Sequence, residues 1–532
     1  MSTRPRTLAA LRESGYRPES VKDEMRRNLL GRISRGEPTF EGIHGYDRTV
    51  IPAIQNAILS RHDIILLGLR GQAKTRILRS LTRLLDESVP VIEGCEINDS
   101  PFLPSCKHCR VLAAERGEEL PVAWLERSER YREKLATPDV TVADLIGDID
   151  PIKAANQRLT YADEEVIHYG IIPRTNRGIF AINELPDLAP RIQVALLNIL
   201  EERDLQIRGF PVRIPMDVVL VFSANPEDYT SRGNIITPLK DRIDSQILTH
   251  YPTDVSVSMR ITEQESWTIR DEIGSKIELP DYVRELVEKI GFIARGSELV
   301  DQSSGVSARM SISALEILYS NLERRAALTG DPVVFPRLSD LAMILPAITG
   351  KVEMVYEGEQ QGAEVVARKL IGEAVADLFQ KTFPAIERAG RSGQAERDRR
   401  VYGELGEDYG DEVRGGGGRR PGKNARSKDH AHAAVQGDAD YDSIVEWFMQ
   451  GNKITLSDEQ PFREFFAELG KVPKLADISR RYFHSGSDPE LAFGMELILE
   501  GLHQSLRLSR EDLDSTITFS ELLKFNILRT VK

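Results

Sequence analysis

Residues 68–75 read GLRGQAKT, one letter away from the phosphate-loop pattern G-x-x-x-x-G-K-[ST]. Gly68, Lys74 and Thr75 fit, and Ala73 stands where the second glycine is expected. Upstream, RHDIILLG is a short apolar run ending in glycine, as a buried parallel strand would be. Downstream, KTRILRSLTRLLDE carries helical periodicity. Strand, glycine-containing loop and helix is the context a phosphate loop requires. Backbone N–H groups along Gly68, Leu69, Arg70, Gly71, Gln72, Ala73, Lys74 and Thr75, with the helix N-terminus behind them, suit the phosphates of a nucleotide. Lys74 would place its ammonium on the outer phosphates, and the Thr75 hydroxyl would ligate Mg²⁺.

Working outward, VPVIEG (89–94) reads as a second strand. RGIFAINELPDL (177–188) reads as a third, ending in Asn183-Glu184, and RIPMDVVLVFSANPED (213–228) as a fourth, ending at Ser223-Ala224-Asn225. PLKDRIDSQILTHYP supplies a charged turn and a short fifth strand. Strands alternating with helices predict an α/β domain with a parallel sheet, whose ligands bind at the strands' carboxyl ends. Glu184 is there to position an attacking water, and Asn225 to hydrogen-bond that water or the γ-phosphate. Each residue also has a plainer reading. An asparagine after a strand is commonly a turn residue, and a lone arginine such as Arg242 is commonly a solvated surface charge.

At 532 residues the chain is too long for one ordinary core. We expect a helical N-terminal extension at 1–40, peripheral to the core, and an α/β nucleotide-binding core at 41–253 with an insertion over about 95–177. A helical lid domain at 254–386, a polar glycine-rich linker at 387–438 and a helical C-terminal region at 439–532 would follow. The formal charge of −13 disfavours a nucleic-acid binder. No apolar run approaches the roughly 18 residues of a membrane span, which predicts a cytoplasmic protein without membrane insertion.

The motifs beyond the loop resemble AAA+ ATPases of the magnesium chelatase I-subunit group, relatives of the MoxR-like chaperone ATPases. TVADLIGDIDPIKAANQ followed by YADEEVIHYGIIPRTNRGIFAINELPDL is similar to that family's insertion and Walker B region. FSANPED resembles its sensor 1, matching Asn225, and PLKDRI its arginine-finger box, matching Arg242. SARMSISALE resembles the sensor 2 helix, matching Arg309. Asn183 stands where the family has the Walker B aspartate that supports Mg²⁺. The resemblance covers about residues 40–350. It implies an AAA+ parallel-sheet core, ATP and Mg²⁺ as cofactors, a homo-hexameric ring with Arg242 acting on a neighbouring subunit's nucleotide, and a partner protein with a von Willebrand A-type domain. The function it implies is a motor that remodels or activates a partner, such as a metal-insertion complex. Two alternatives stand beside it. Ala73 and Asn183 suit a nucleotide-binding scaffold with little hydrolysis, while a sigma-54-type activator would need a G-A-F-T-G-A loop that the chain lacks.

Three cysteines, Cys95, Cys106 and Cys109, fall inside the expected insertion. They are either ordinary small loop residues or three ligands of a zinc ion. His108 is the nearby candidate for a fourth ligand, awkwardly placed between two of the cysteines.

Overall fold

The apolar run before the phosphate-loop motif forms a strand, Ile64–Leu67 (β1). In the computed structural model four more strands join it in one sheet: Tyr131–Leu135 (β2), Gly178–Asn183 (β3), Val218–Ala224 (β4) and Ser245–Leu248 (β5). Their order is β5-β1-β4-β3-β2 and every pairing is parallel. The structure describes residues 4–157, 163–207, 213–225, 234–270, 275–384, 386, 441–483, 486–513 and 516–522. They divide into two units, Met1–Val257 with Ser303–Ser307, and Ser258–Gln302 with Ala308–Lys532.

Side chains of a strand alternate between the two faces of a sheet, and both faces here are covered. Ile64, Leu66, Ile179, Ala181, Val219, Val221 and Ile247 pack on one side, with Ile54 and Ile58 of the helix Val50–Leu59. Ile65, Phe180, Ile182, Leu220 and Phe222 pack on the other, with Ile192, Leu196 and Leu239. All six residues of β3 and all seven of β4 are therefore buried.

The N-terminal residues are helical as expected, at Leu8–Glu13 and Val21–Ser34, but they are not peripheral. Val21, Met25 and Leu29 belong to the core, and Glu24 is buried against Arg130. Arg130 Nη1 and Nη2 donate to the two Glu24 carboxylate oxygens at 2.7 and 2.6 Å, and Nε donates to Arg177 O at 2.7 Å. Removing one member of such a pair would strand the other charge in the interior.

Three further expectations change. The run at 89–94 is a strand, Ser88–Ile92, but it pairs antiparallel with Val122–Glu126 outside the central sheet. The fifth place in the sheet, at its edge, goes to β2, so the expected insertion at 95–177 contributes a strand to the sheet itself. The run at 213–228 contains two strands, because Arg213–Pro215 folds back on Asp204–Gln206 before β4 begins. Between β2 and β3, within the expected insertion, Gly147–Ile149 and Ile167–Tyr169 make an antiparallel hairpin. Gly147 has φ +127°, and a Cβ there would press on the His168 carbonyl, so only glycine fits.

The second unit is mostly helical. Asp281–Ala294, Arg309–Thr329, Ala363–Thr382 and Asp488–Gln504 are its long helices. Asp488–Gln504 is buried continuously from Leu491 to Leu502, the signature of a central helix. At Gly501 a Cβ would collide with the Phe379 ring, which fixes how closely this helix approaches Ala363–Thr382. The C-terminal residues are not all helical: Ile454–Ser457, Thr516–Glu521 and Leu508–Leu513 form an antiparallel sheet in that order. The expected linker at 387–438 lies outside the described residues. Among the described residues no helix is long and apolar enough to cross a membrane.

Candidate functional site

The register of β1 against β4 pairs Leu67 with Ala224, so the residues that follow each strand emerge side by side. Gly68 N donates to Ala224 O at 3.1 Å, tying the start of the phosphate loop to the end of β4. A Cβ on Gly68 would collide with Thr249 Oγ1 and Gln72 Oε1, which explains the glycine. Gly71 and Ala73 both sit in the left-handed region, at φ 74° and 58°. Ala73 thus occupies the conformation that the expected glycine would adopt without strain. The helix Lys74–Ser80 begins directly after it.

The Lys74 side chain, only 7 % exposed, curls back into this loop. Its ammonium donates to Gly68 O, to Leu69 O at 3.0 Å and to Asn225 Oδ1 at 2.6 Å. The Asn225 amide in turn donates to Glu184 Oε2 at 3.1 Å. Glu184 follows β3 directly, in the left-handed region at φ 55° and ψ 50°, and its N–H donates to Ser223 Oγ at 3.4 Å. Ser223 Oγ donates to Asn183 Oδ1 at 3.1 Å, and Thr75 Oγ1 reaches the same oxygen at 3.4 Å. Lys74, Thr75, Asn183, Glu184 and Asn225 are therefore one contact network at the carboxyl ends of β1, β3 and β4.

A second set of residues, not anticipated from the sequence, holds the loop in shape. Thr249 Oγ1 donates to Gln72 Oε1 at 2.7 Å, and Tyr251 Oη donates to Arg70 O at 2.7 Å. Arg70 Nε donates to Ser304 O at 3.2 Å. Burial pushes the Tyr46 phenol up to about 12, so it stays protonated and shares its hydrogen between His250 O at 2.7 Å and Gln72 O at 3.0 Å. The signal for these residues was their position, since Thr249 and Tyr251 immediately follow β5, the neighbour of β1.

Arg242 is the last residue of the helix Thr237–Arg242. Its Nε donates to Glu201 Oε2 at 2.6 Å and its Nη1 to Pro238 O at 3.1 Å, outside the Lys74 network. Arg309 opens the helix Arg309–Thr329 of the second unit.

The three cysteines do come together, with a fourth partner that is not His108, which is exposed. One ligand atom from each of Cys95, Asp99, Cys106 and Cys109 lies within 4.8 Å of the other three. Cys95 follows the strand Ser88–Ile92, while Cys106 caps the helix Lys107–Arg116 and Cys109 lies in its first turn.

The fit of the phosphate network to a nucleotide rests on its polar groups: a lysine buried within a glycine-containing loop, a hydroxyl at the following helix start, and a carboxylate at the end of β3, with β4 between. Comparison with known proteins agrees on the fold. Residues 122–243 match the AAA domain of the dynein-related subfamily. Among solved structures, NtrX from Brucella abortus matches at 15 % identity and a TM-score of 0.31, over 55 % of this chain and 56 % of that one. A complex between subunits BchI and BchD of magnesium chelatase matches at 19 % identity and a TM-score of 0.32, over 60 % of this chain and 98 % of that one. The chain thus spans about half the length of NtrX. No curated protein matches the chain. The family match over residues 122–243, the parallel sheet order and the loop geometry together show the fold of an AAA+ P-loop core in the first unit.

Proposed function

We propose that the chain binds and hydrolyses ATP at the carboxyl ends of β1, β3 and β4, and uses the cycle to remodel or activate a partner protein. The observation that carries this reading is the network in which Asn225 joins Lys74 to Glu184 beside the Thr75–Asn183 contact. In it Lys74 would exchange its loop carbonyls for the outer phosphates of ATP. Thr75 and Asn183 would hold Mg²⁺, which would supply positive charge against the phosphates. Glu184 would orient the attacking water and accept its proton, while Asn225 fixes the carboxylate and senses the γ-phosphate. Arg242, on a helix end apart from this network, would serve a neighbouring subunit's nucleotide in a homo-hexamer, and Arg309 would be the sensor 2 arginine. The partner would be a protein with a von Willebrand A-type domain, such as a component of a metal-insertion complex.

Asn183 lacks the charge of the usual aspartate, so Mg²⁺ would be held less firmly and turnover would be slow. The same feature favours a second reading, a nucleotide-binding scaffold that turns over little ATP. Phosphate release by the purified chain, followed while Mg²⁺ is titrated, separates the two. The motor reading expects turnover that rises into the millimolar range of Mg²⁺, and Asn183→Asp should reach half-maximal turnover at lower Mg²⁺. Turnover absent from both proteins at every Mg²⁺ concentration, with ATP still bound, would leave the scaffold.

A further inference from the structure

We propose that Cys95, Asp99, Cys106 and Cys109 form a closed, structural zinc site within the first unit. This inference is independent of the nucleotide chemistry. Its geometry is that of a single ion: a tetrahedron with Zn–S bonds of about 2.3 Å has edges of about 3.8 Å. Four ligand atoms all within 4.8 Å of one another suit that size. An iron–sulfur cluster would hold its cysteine sulfurs farther apart.

The strongest sign is Asp99. It is 1 % exposed, and its Oδ2 accepts N–H bonds from Ser105 at 2.9 Å and Cys106 at 2.8 Å. Its other oxygen, Oδ1, is buried without a hydrogen-bond partner among the described residues. A buried carboxylate oxygen normally finds a donor or a cation. Here three sulfurs share its pocket.

The backbone is also arranged for thiolates. Asp99 N donates to Cys95 Sγ at 3.3 Å, and Cys109 N donates to Cys106 Sγ at 3.4 Å. Such N–H contacts orient metal-bound sulfur and offset its negative charge. Cys106 and Cys109 are buried in the same apolar cluster as Ile92, Ile97 and Leu120, which keeps water out. Four protein ligands, three of them buried and Cys95 half-buried, make a structural site; a catalytic one would keep a position open. Binding would form three Zn–S bonds and one Zn–O bond, with the thiol protons passing to solvent and no change of oxidation state.

The ion would fasten the turn after Ser88–Ile92 to the helix Lys107–Arg116. That helix reaches on to Glu164, through Lys107 N at 2.7 Å and Arg110 Nη2 at 3.1 Å. Glu164 leads directly into Ile167–Tyr169, one arm of the insertion hairpin. The zinc would therefore brace the base of that hairpin.

The test is metal analysis of the full chain purified from zinc-supplemented cells without chelators. About one zinc per chain is expected. Cobalt replacing it should give the intense visible bands of a tetrahedral site and a near-ultraviolet sulfur-to-cobalt band. Asp99→Asn should weaken zinc binding by more than the roughly 10–100-fold typical of outer-shell partners. Cys106→Ser combined with Cys109→Ser should abolish it. If that double variant fails to fold, cobalt titration of the reduced wild-type chain still decides. The proposal is overturned if the wild-type chain takes up neither zinc nor cobalt, if iron occupies the site, or if the folded double variant retains its zinc.

Discussion

The two units each bury a cluster of charged and polar side chains, and the clusters are built differently. In the second unit Arg325 grips Asp340 through two bonds, at 2.5 and 2.8 Å, while Asn321 Nδ2 and Arg337 N donate to the same carboxylate at 2.8 and 2.7 Å. Nearby, Leu338 N donates to Glu496 at 2.8 Å in the middle of a buried helix. Those groups come from helices and their connections, and they lock one another in place. At the strand ends of the first unit, one lysine donates to two carbonyls and to the Asn225 amide oxygen, and the Asn225 amide nitrogen donates on to the Glu184 carboxylate. A carbonyl or an amide gives up an ammonium to phosphate more cheaply than a carboxylate would. Burial of charge therefore does not by itself mark a site; the kind of partner does.

That contrast can be broken or sharpened by substitution. The largest effect is expected at Arg242. If it stabilises transition-state charge across a subunit boundary, Arg242→Ala should bind ATP almost normally and lose turnover by on the order of 10³-fold. Its contact with Glu201 is a surface pair, so stability should fall by no more than about 1 kcal/mol. Mixing Arg242→Ala with Lys74→Ala subunits should restore some turnover at mixed interfaces, and a mixture as inactive as its parts would argue against a shared site.

Glu496 should show the opposite behaviour, with an effect on stability alone. Burial raises its carboxyl from an ordinary value near 4.5 to about 7. Between those values the folded state binds more protons than the unfolded one, so stability falls as pH rises through the window. The loss amounts to at most roughly 3 kcal/mol. Hydrogen exchange at the Leu338 amide should report an opening free energy that declines from pH 5 to pH 8. Glu496→Gln should flatten the decline and leave turnover unchanged. An equally steep decline in the variant would move its cause elsewhere.

The smallest effect belongs to Ala73. Its left-handed backbone costs an L-residue about 1 kcal/mol, of which glycine's greater freedom in the unfolded chain returns part. Ala73→Gly should therefore change the denaturation midpoint little or upward, with turnover equal or higher. A clear loss of both would mean that the Ala73 methyl packs to some purpose.

The proposed phosphate site was legible because its chemistry follows the chain. Lys74 and Thr75 adjoin one strand, Glu184 ends another and Asn225 a third, and long apolar runs announce all three strands. The strand Tyr131–Leu135 was not legible, since YREKL is largely charged; as the sheet's edge strand it can afford that sequence. Conversely, VPVI looks like a core strand but is buried elsewhere. The C-terminal strands escaped notice because LSREDL and TITFSE are short and half polar. Asp99 was missed because no spacing rule places an aspartate four residues after a cysteine on a metal. Only the fold brings it to Cys106 and Cys109.

The proposed function makes the strand-end network of the first unit an ATP site in which Glu184 handles the water. Its most direct test is a calorimetric titration of ATP into Glu184→Gln at millimolar Mg²⁺. The substitution keeps the Lys74–Asn225 arrangement and removes the base, so ATP should bind saturably and remain intact through the titration. No binding heat, in this variant and in the wild-type chain alike, would contradict the claim.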